Sequence, residues 1–277
     1  MVFGVVANPL KPEVESILRL LEKELSTGEA VFEADLARFL ICPDKFELVE
    51  LSEIGEKSDI ILVVGGDGTF LRAARYSQGK PLVGFNIGRV GFLTIFQPDD
   101  IPQILERIKK GDYIVEKRMR VVAQRINGRR FLALNEVAII ATGAARILEI
   151  EIMAHNMSLA RLRADGIMVA TPTGSTAYNL AAGGPIIHPS MDALIVTPIC
   201  AHTLTLRPFV LPVNCQIMIT VKSRGGRILL SADGQDEESI ENGETITFWA
   251  RAKDVAIVKF KDSPRFFELL KRKFHWG

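Results

Sequence analysis

The chain has 277 residues, 48% of them hydrophobic and 24% charged, and a formal net charge of +1. That length suffices for two cores, the near-neutral balance argues against a nucleic-acid binder, and no apolar run reaches the roughly eighteen residues of a membrane span. The three cysteines, Cys42, Cys200 and Cys215, are far apart and lack Cys-x-x-Cys spacing, which excludes a disulfide framework or structural zinc site and is read as buried, inert thiols of a reducing, cytoplasmic compartment.

Phe3–Ala7 reads as a short buried strand that lacks the basic start of a signal peptide. Lys11–Ser26 reads as a helix with Val14, Ile17, Leu18, Leu21 and Leu25 on one face. Ile60–Val64 is a continuous apolar run, as in a strand covered on both faces. A glycine turn, a helix over Phe70–Tyr76 and a strand over Leu82–Asn86 follow. This alternation predicts a mostly parallel, Rossmann-like α/β layer.

Near residue 97 the style changes. Asp99–Lys110 is one more helix, and beyond it the apolar period turns to two, as in Leu148–Ile152. Phe131–Val137, Ile217–Val221, Ile228–Ser231, Thr245–Trp249 and Val255–Phe260 read as strands, and Asn127-Gly128 and Asn242-Gly243 as type I′ turns. Arg125, Arg129 and Arg130 read as a solvated hairpin tip. The expected fold is α/β plus β: an α/β domain at 1–97, an antiparallel sandwich-like domain at 98–261, and a closing helix at 262–277, with Phe267 and Leu270 inward, that packs back on the first.

Gly65-Gly66-Asp67-Gly68-Thr69 stands where a parallel strand ends and a helix begins. In open α/β sheets ligands bind outside the carboxyl ends of strands. Glycines let phosphate approach main-chain N–H groups, and the helix start adds a positive dipole end. A carboxylate there needs a role beside phosphates: accepting a proton from a hydroxyl or holding Mg²⁺. Both roles point to phosphoryl transfer; the alternative is a tight turn in which Asp67 only caps the helix. The spacing is neither a Walker loop nor Gly-x-Gly-x-x-Gly. The same pentapeptide occurs in diacylglycerol and sphingosine kinases, and a similar one in phosphofructokinases, so it does not choose the acceptor.

The second informative run is Asp165–Tyr178, continuing to Gly183-Gly184-Pro185. It is poor in charge and dense in hydroxyls. Thr173–Thr176 can hydrogen-bond a base or ribose edge, and Tyr178 can stack on a base. A plain glycine-rich crossing loop is the bland alternative. Asn135-Glu136 is a polar pair inside an apolar strand-like run, and Asp233-Gly234-Gln235 follows a strand.

Together these segments resemble the NAD kinase family, over about residues 60–240. Ala164 and Ala181 depart from glycine and serine common there. The resemblance implies transfer of a phosphoryl group from ATP or polyphosphate to the adenosine 2′-hydroxyl of NAD, bound in a cleft between the domains, giving NADP. Asp67 would accept the hydroxyl proton or orient that hydroxyl, with the Gly68 backbone and Arg72 beside it. Asn135 and Glu136 would bind ribose hydroxyls; Arg146 and Arg163 would meet the pyrophosphate or the donor. Asp165 would face the nicotinamide end, the run Thr176, Ala177, Tyr178, Asn179, Leu180 and Ala181 would frame the adenosine, and Gln235 would close the site. Magnesium would ride on the donor phosphates without a protein ligand set. A homodimer or homotetramer is implied, with no nucleic-acid or membrane partner. A lipid or sugar kinase would leave the Thr/Ser/Gly run unexplained; a non-catalytic NADP sensor would not need Asp67.

Overall fold

The computed structural model describes residues 1–143, 147–202 and 205–276. The chain divides into two compact units, Met1–Lys117 with Asp254–Gly277, and Arg118–Lys253. The first contains strands β1 (Phe3–Ala7), β2 (Ala30–Glu33), β3 (Glu47–Val49), β4 (Ile60–Gly65) and β5 (Pro81–Asn86), all parallel and ordered β5-β4-β1-β2-β3. Helices α1 (Val14–Glu24), α2 (Ile54–Lys57), α3 (Asp67–Arg75) and α4 (Ile101–Lys109) accompany them. The strand order reverses between β1 and β4, and such a switch point opens a crevice outside the strand carboxyl ends.

The apolar periods explain these elements. Every residue of β1 and β4 is buried, which matches their unbroken apolar runs. Helix α1 buries Val14, Ile17, Leu18 and Leu21, but it begins at Val14, so Lys11 stands in the turn before it. Helix α4 buries Ile101, Ile104, Leu105 and Ile108 in the same core as β1 and β4. The first unit therefore runs past residue 97, to Lys117, and resumes at Asp254.

The second unit is antiparallel. Its strands begin with β6 (Ile114–Gln124), which starts in the first unit, and continue as β7 (Arg130–Ala133), β8 (Glu136–Thr142), β9 (Leu148–Ala154), β10 (Met157–Ala164) and β11 (Gly166–Ala170). After the short helix α5 (Tyr178–Ala181) come β12 (Ala193–Ile199), β13 (Phe209–Pro212), β14 (Ile217–Ser223), β15 (Arg227–Ala232), β16 (Asp236–Ile240) and β17 (Thr245–Lys259). One sheet runs β13-β12-β11-β8-β15-β16, and β10-β9-β14-β17 lie in the other. Their inner faces share one core, with Ile150, Ile152, Ile217 and Ile219 from one and Val137, Ile139, Ile167 and Val169 from the other.

Several local expectations change. Phe131–Val137 is two strands, interrupted at Leu134-Asn135. Thr245–Trp249 and Val255–Lys259 belong to one strand, β17, which stops one residue short of Phe260; its start pairs with β14 and its end pairs in parallel with β5. Only Gly128 and Gly243 of the two Asn-Gly pairs have positive φ, so neither turn is type I′, which needs both. The closing helix α6 (Phe266–Phe274) buries Leu269 and Leu270, and Phe267 is 66% exposed. Arg125 is buried rather than solvated, bridging Glu244 at 2.8 Å and Glu238 at 2.7 Å. Cys42 and Cys200 are exposed thiols; Cys215 alone of the three is buried.

Candidate active site

In the first unit the glycine turn joins β4 to α3. Gly66 is extended at the helix start, and Asp67 is its first residue. The Asp67 carboxylate does not cap its own helix. It turns to the loop after β5, where Oδ2 accepts the Phe92 amide at 2.8 Å. Oδ1 accepts the amides of Leu93 and Thr94 and the Thr94 hydroxyl, each at 3.0 Å. The Thr94 hydroxyl in turn receives the buried Asn86 amide at 2.7 Å. Gly91 makes room for this, since a Cβ there would come within 1.9 Å of Asp67 Oδ1.

Gly66, Gly68, Thr69 and Arg72 line one hollow with Asn8, Pro9 and Lys11. Its walls come from the ends of β1 and β4, the strands flanking the switch point. Glycine backbone, a helix start and a lysine suit an anion. Arg72 is held elsewhere, however: its guanidinium pairs with Glu33, at 2.9 Å for Nη2–Oε2, and donates to the Ala7 carbonyl at 2.8 Å. Its first task is to tie α3 to β1 and β2.

In the second unit Asp233 holds the break between β7 and β8. Its carboxylate accepts the amides of Leu134, Asn135 and Glu136 at 2.9, 2.8 and 3.2 Å. Asp233 and Gly234 both have positive φ, the backbone that turns the chain into Gln235, itself exposed. Glu136 is buried, and its Oε2 has no hydrogen-bond partner among the described residues. Burial, and secondly the charge of Asp233, push its carboxyl up to about 8.

The hydroxyl-rich run packs on the same break. Thr171 donates its amide to the Asn135 carbonyl at 2.8 Å and its hydroxyl to the Leu134 carbonyl at 2.5 Å. Gly174 approaches so closely that a Cβ would lie 2.2 Å from the Asn135 oxygen. Thr176 folds its hydroxyl back to the Thr173 carbonyl at 3.4 Å. Tyr178 is 40% exposed. Its hydroxyl is held above the usual range by desolvation first, then by Cys200, Glu136 and Asp165. Asp165 also faces His202, 3.8 Å from Nε2. Tyr178, Glu136 and Asp165 are thus electrostatic neighbours.

Other members of the predicted set sit differently. Asn179 is fully buried, and its amide is occupied by Thr197 at 2.6 Å and by the carbonyls of Ser175 and Pro185, both at 3.2 Å. These bonds lock the run in place. Ala177 and Leu180 are half-buried and Ala181 is exposed. Arg163 directs its guanidinium to Glu149 at 3.1 Å, on a strand face shared with Glu151, Arg161 and Lys222. Arg146 lies outside the described residues. The sequence reading missed Asn86, the Gly91–Thr94 loop and the pinning role of Asp233. The first two had a signal in Gly84–Thr94, a second glycine-rich stretch that spans the end of a parallel strand and the loop after it.

Residues 3–113 match the family model of the ATP-NAD kinase N-terminal domain, and residues 134–260 that of the ATP-NAD kinase C-terminal domain. The chain is 35% identical, over its whole length and 98% of the relative's, to an NAD kinase of Chlorobaculum tepidum. It is 38% identical to an NAD kinase of Geotalea daltonii, covering 93% of this chain and 92% of that one. Among solved structures it is similar to an NAD kinase from Archaeoglobus fulgidus in complex with ATP, with a TM-score of 0.75, 28% identity and all of both chains covered. It shares its fold with yeast NADH kinase complexed with NADH, at a TM-score of 0.89 and 23% identity, covering all of this chain and 88% of that one.

Proposed function

The chain belongs to the NAD kinase family, and from that premise we propose how its residues phosphorylate the adenosine 2′-hydroxyl of NAD to give NADP. The observation that carries the assignment is the Asp67 carboxylate. Three of its four hydrogen bonds fall on Oδ1 and one on Oδ2. A carboxylate oxygen has two lone pairs, so Oδ2 keeps one for a substrate hydroxyl. Asp67 takes the 2′-hydroxyl proton, or aims that hydroxyl, as its oxygen attacks the terminal phosphorus and the donor's bridging P–O bond breaks.

The donor phosphates lie in the hollow at Gly66 and Gly68, with Lys11 countering their charge. The ATP complex of the similar Archaeoglobus fulgidus enzyme supports ATP as the donor; polyphosphate is the alternative with the same anionic chemistry. Magnesium is proposed on the donor phosphates, because Mg²⁺ at such sites takes phosphate oxygens and waters with at most one or two carboxylates. Held by those phosphates, the ion would neutralise charge on the transferring phosphoryl group. Asn135 and Glu136 bind ribose hydroxyls, Tyr178 stacks on the adenine, and Asp165 faces the nicotinamide end. Free thiols fit a reducing, cytoplasmic setting. The open edge of β10, with Met157 and Leu159 exposed, fits a homo-oligomer.

The test is incubation with NAD, Mg²⁺ and either ATP or polyphosphate, with an NADP-specific dehydrogenase as detector. NADP formation is the expected result, and the donor that supports it identifies the phosphoryl source. Binding of NAD without product under every donor would overturn the catalytic assignment.

A further inference from the structure

Phe92 stands between the Asp67 carboxylate and the last helix of the chain. Its amide donates to Asp67 Oδ2 at 2.8 Å. Its ring lies 5.9 Å from Phe274 and 6.3 Å from Phe266, both on α6, in tilted pairs. The Lys273 ammonium sits 5.5 Å from the centre of the same ring. Phe274 leans in turn on Trp276 at 5.7 Å. Helix α6 ends at His275 with left-handed φ, and the Trp276 amide returns to the Lys271 carbonyl at 3.3 Å. The chain end is thereby folded back so that the two rings meet. These separations are within the range in which aromatic rings and cations attract a ring.

The two oxygens of Asp67 are held unequally. Oδ1 has three donors from Leu93 and Thr94, whereas Oδ2 has the Phe92 amide. Ring and amide of Phe92 share one Cα, so whatever fixes the ring restricts the amide. We propose that Phe274 is a positioning residue for phosphoryl transfer: through the Phe92 ring it holds the Phe92 amide against Asp67 Oδ2 and sets the direction of that oxygen's remaining lone pair. The inference rests on the role of Asp67 proposed above. It concerns the first unit alone, whereas Asn135, Glu136 and Tyr178 belong to the second, so kcat and KM for NAD report on it separately.

The experiment compares Phe274→Ala, Phe274→Tyr, Phe267→Ala and Asp67→Asn by steady-state kinetics and by hydrogen exchange of the Phe92–Thr94 amides. Phe274→Ala is expected to lower kcat between about 10- and 100-fold, as small misplacements of reacting groups do, with KM for NAD within about twofold of the parent. Exchange at Phe92–Thr94 should quicken in parallel. Phe274→Tyr keeps a ring and should restore both. Phe267, largely exposed and packed on Phe266, should tolerate alanine. If Phe274→Ala does not fold, Phe274→Leu keeps the apolar volume without the ring and should show the same loss of kcat. Parental kcat in the ring-less variants, beside a collapsed Asp67→Asn, would overturn the inference. Parental kcat in Asp67→Asn would overturn the Asp67 assignment itself.

Discussion

The Asp233 carboxylate receives the Asn135 amide at 2.8 Å, across the break that separates β7 from β8. Asp67 does the same to the loop at Phe92–Thr94. In each unit an Asp-Gly pair gathers three consecutive backbone N–H groups and so shapes a turn beside a proposed ligand. Asp233→Ala leaves the amides of 134–136 without their acceptor. A lost charged acceptor costs about 1.5–3 kcal/mol, and KM for NAD should rise because Asn135 and Glu136 lose their placement. Urea unfolding and kinetics on the same variant check both; an unshifted KM would separate the turn from NAD binding.

Asp67→Asn preserves size but removes the negative charge and proton acceptor. A positioned general base contributes about 10²–10⁴-fold, so kcat should fall by that range while NAD still binds. Near-parental turnover would exclude the base and the charge-orienting roles together.

Glu136 gives the pH dependence a sign. Its carboxyl sits near 8, so at neutral pH the free protein holds it largely protonated. Ribose hydroxyls donate best to the ionised form. KM for NAD should therefore fall as pH rises towards about 8, by up to about tenfold per unit, and flatten above it. Stability of the free protein runs the other way. The unfolded chain has released this proton above about 4.5, so stability declines between there and about 8. Glu136→Gln should flatten both profiles, and a KM profile unchanged by that variant would sink the assignment.

Tyr178 is 40% exposed, and the role proposed for its ring is stacking on the adenine. Stacking of a base on an aromatic side chain is worth about 1–3 kcal/mol, which corresponds to a rise of about 5- to 150-fold in KM for NAD on Tyr178→Ala. The kcat should change less. The reverse pattern would point to a role for the hydroxyl instead.

The apolar periods of α1, α4 and β4 and the glycine turn are local features, and each was legible because its cause lies within a few residues. Other positions depend on distant partners. Arg72 lines the hollow beside the glycine turn, and its guanidinium is also held by Glu33, 39 residues earlier. Arg125 in a basic cluster looks solvated until Glu244 arrives from 119 residues later. The donors to Asp67 lie 25 to 27 residues beyond it, and nothing at residue 67 announces them. Phe267 was misassigned by helix phase: with Phe266 first in the helix, the inward side falls on Leu269 and Leu270. Hydroxyl-rich residues 171–176 were legible as a segment, but the buried place of Asn179 was not separable from that of its more open neighbours without Thr197.

The sharing of β17 between the units bears on how the protein is made. Residues 118–253 are a continuous stretch that carries its own core, so a ribosome can release that unit in one piece. The first unit cannot close in the order it is synthesised. Val258 and Phe260 belong to its core, and Ala256-Ile257 supply the parallel partner at the edge of β5. The residues translated first must therefore wait, with the β5 edge open, until the whole second unit has emerged. Open edges and unfilled cores are where partly folded chains associate, and the segment that covers this edge is the one that leads into α6.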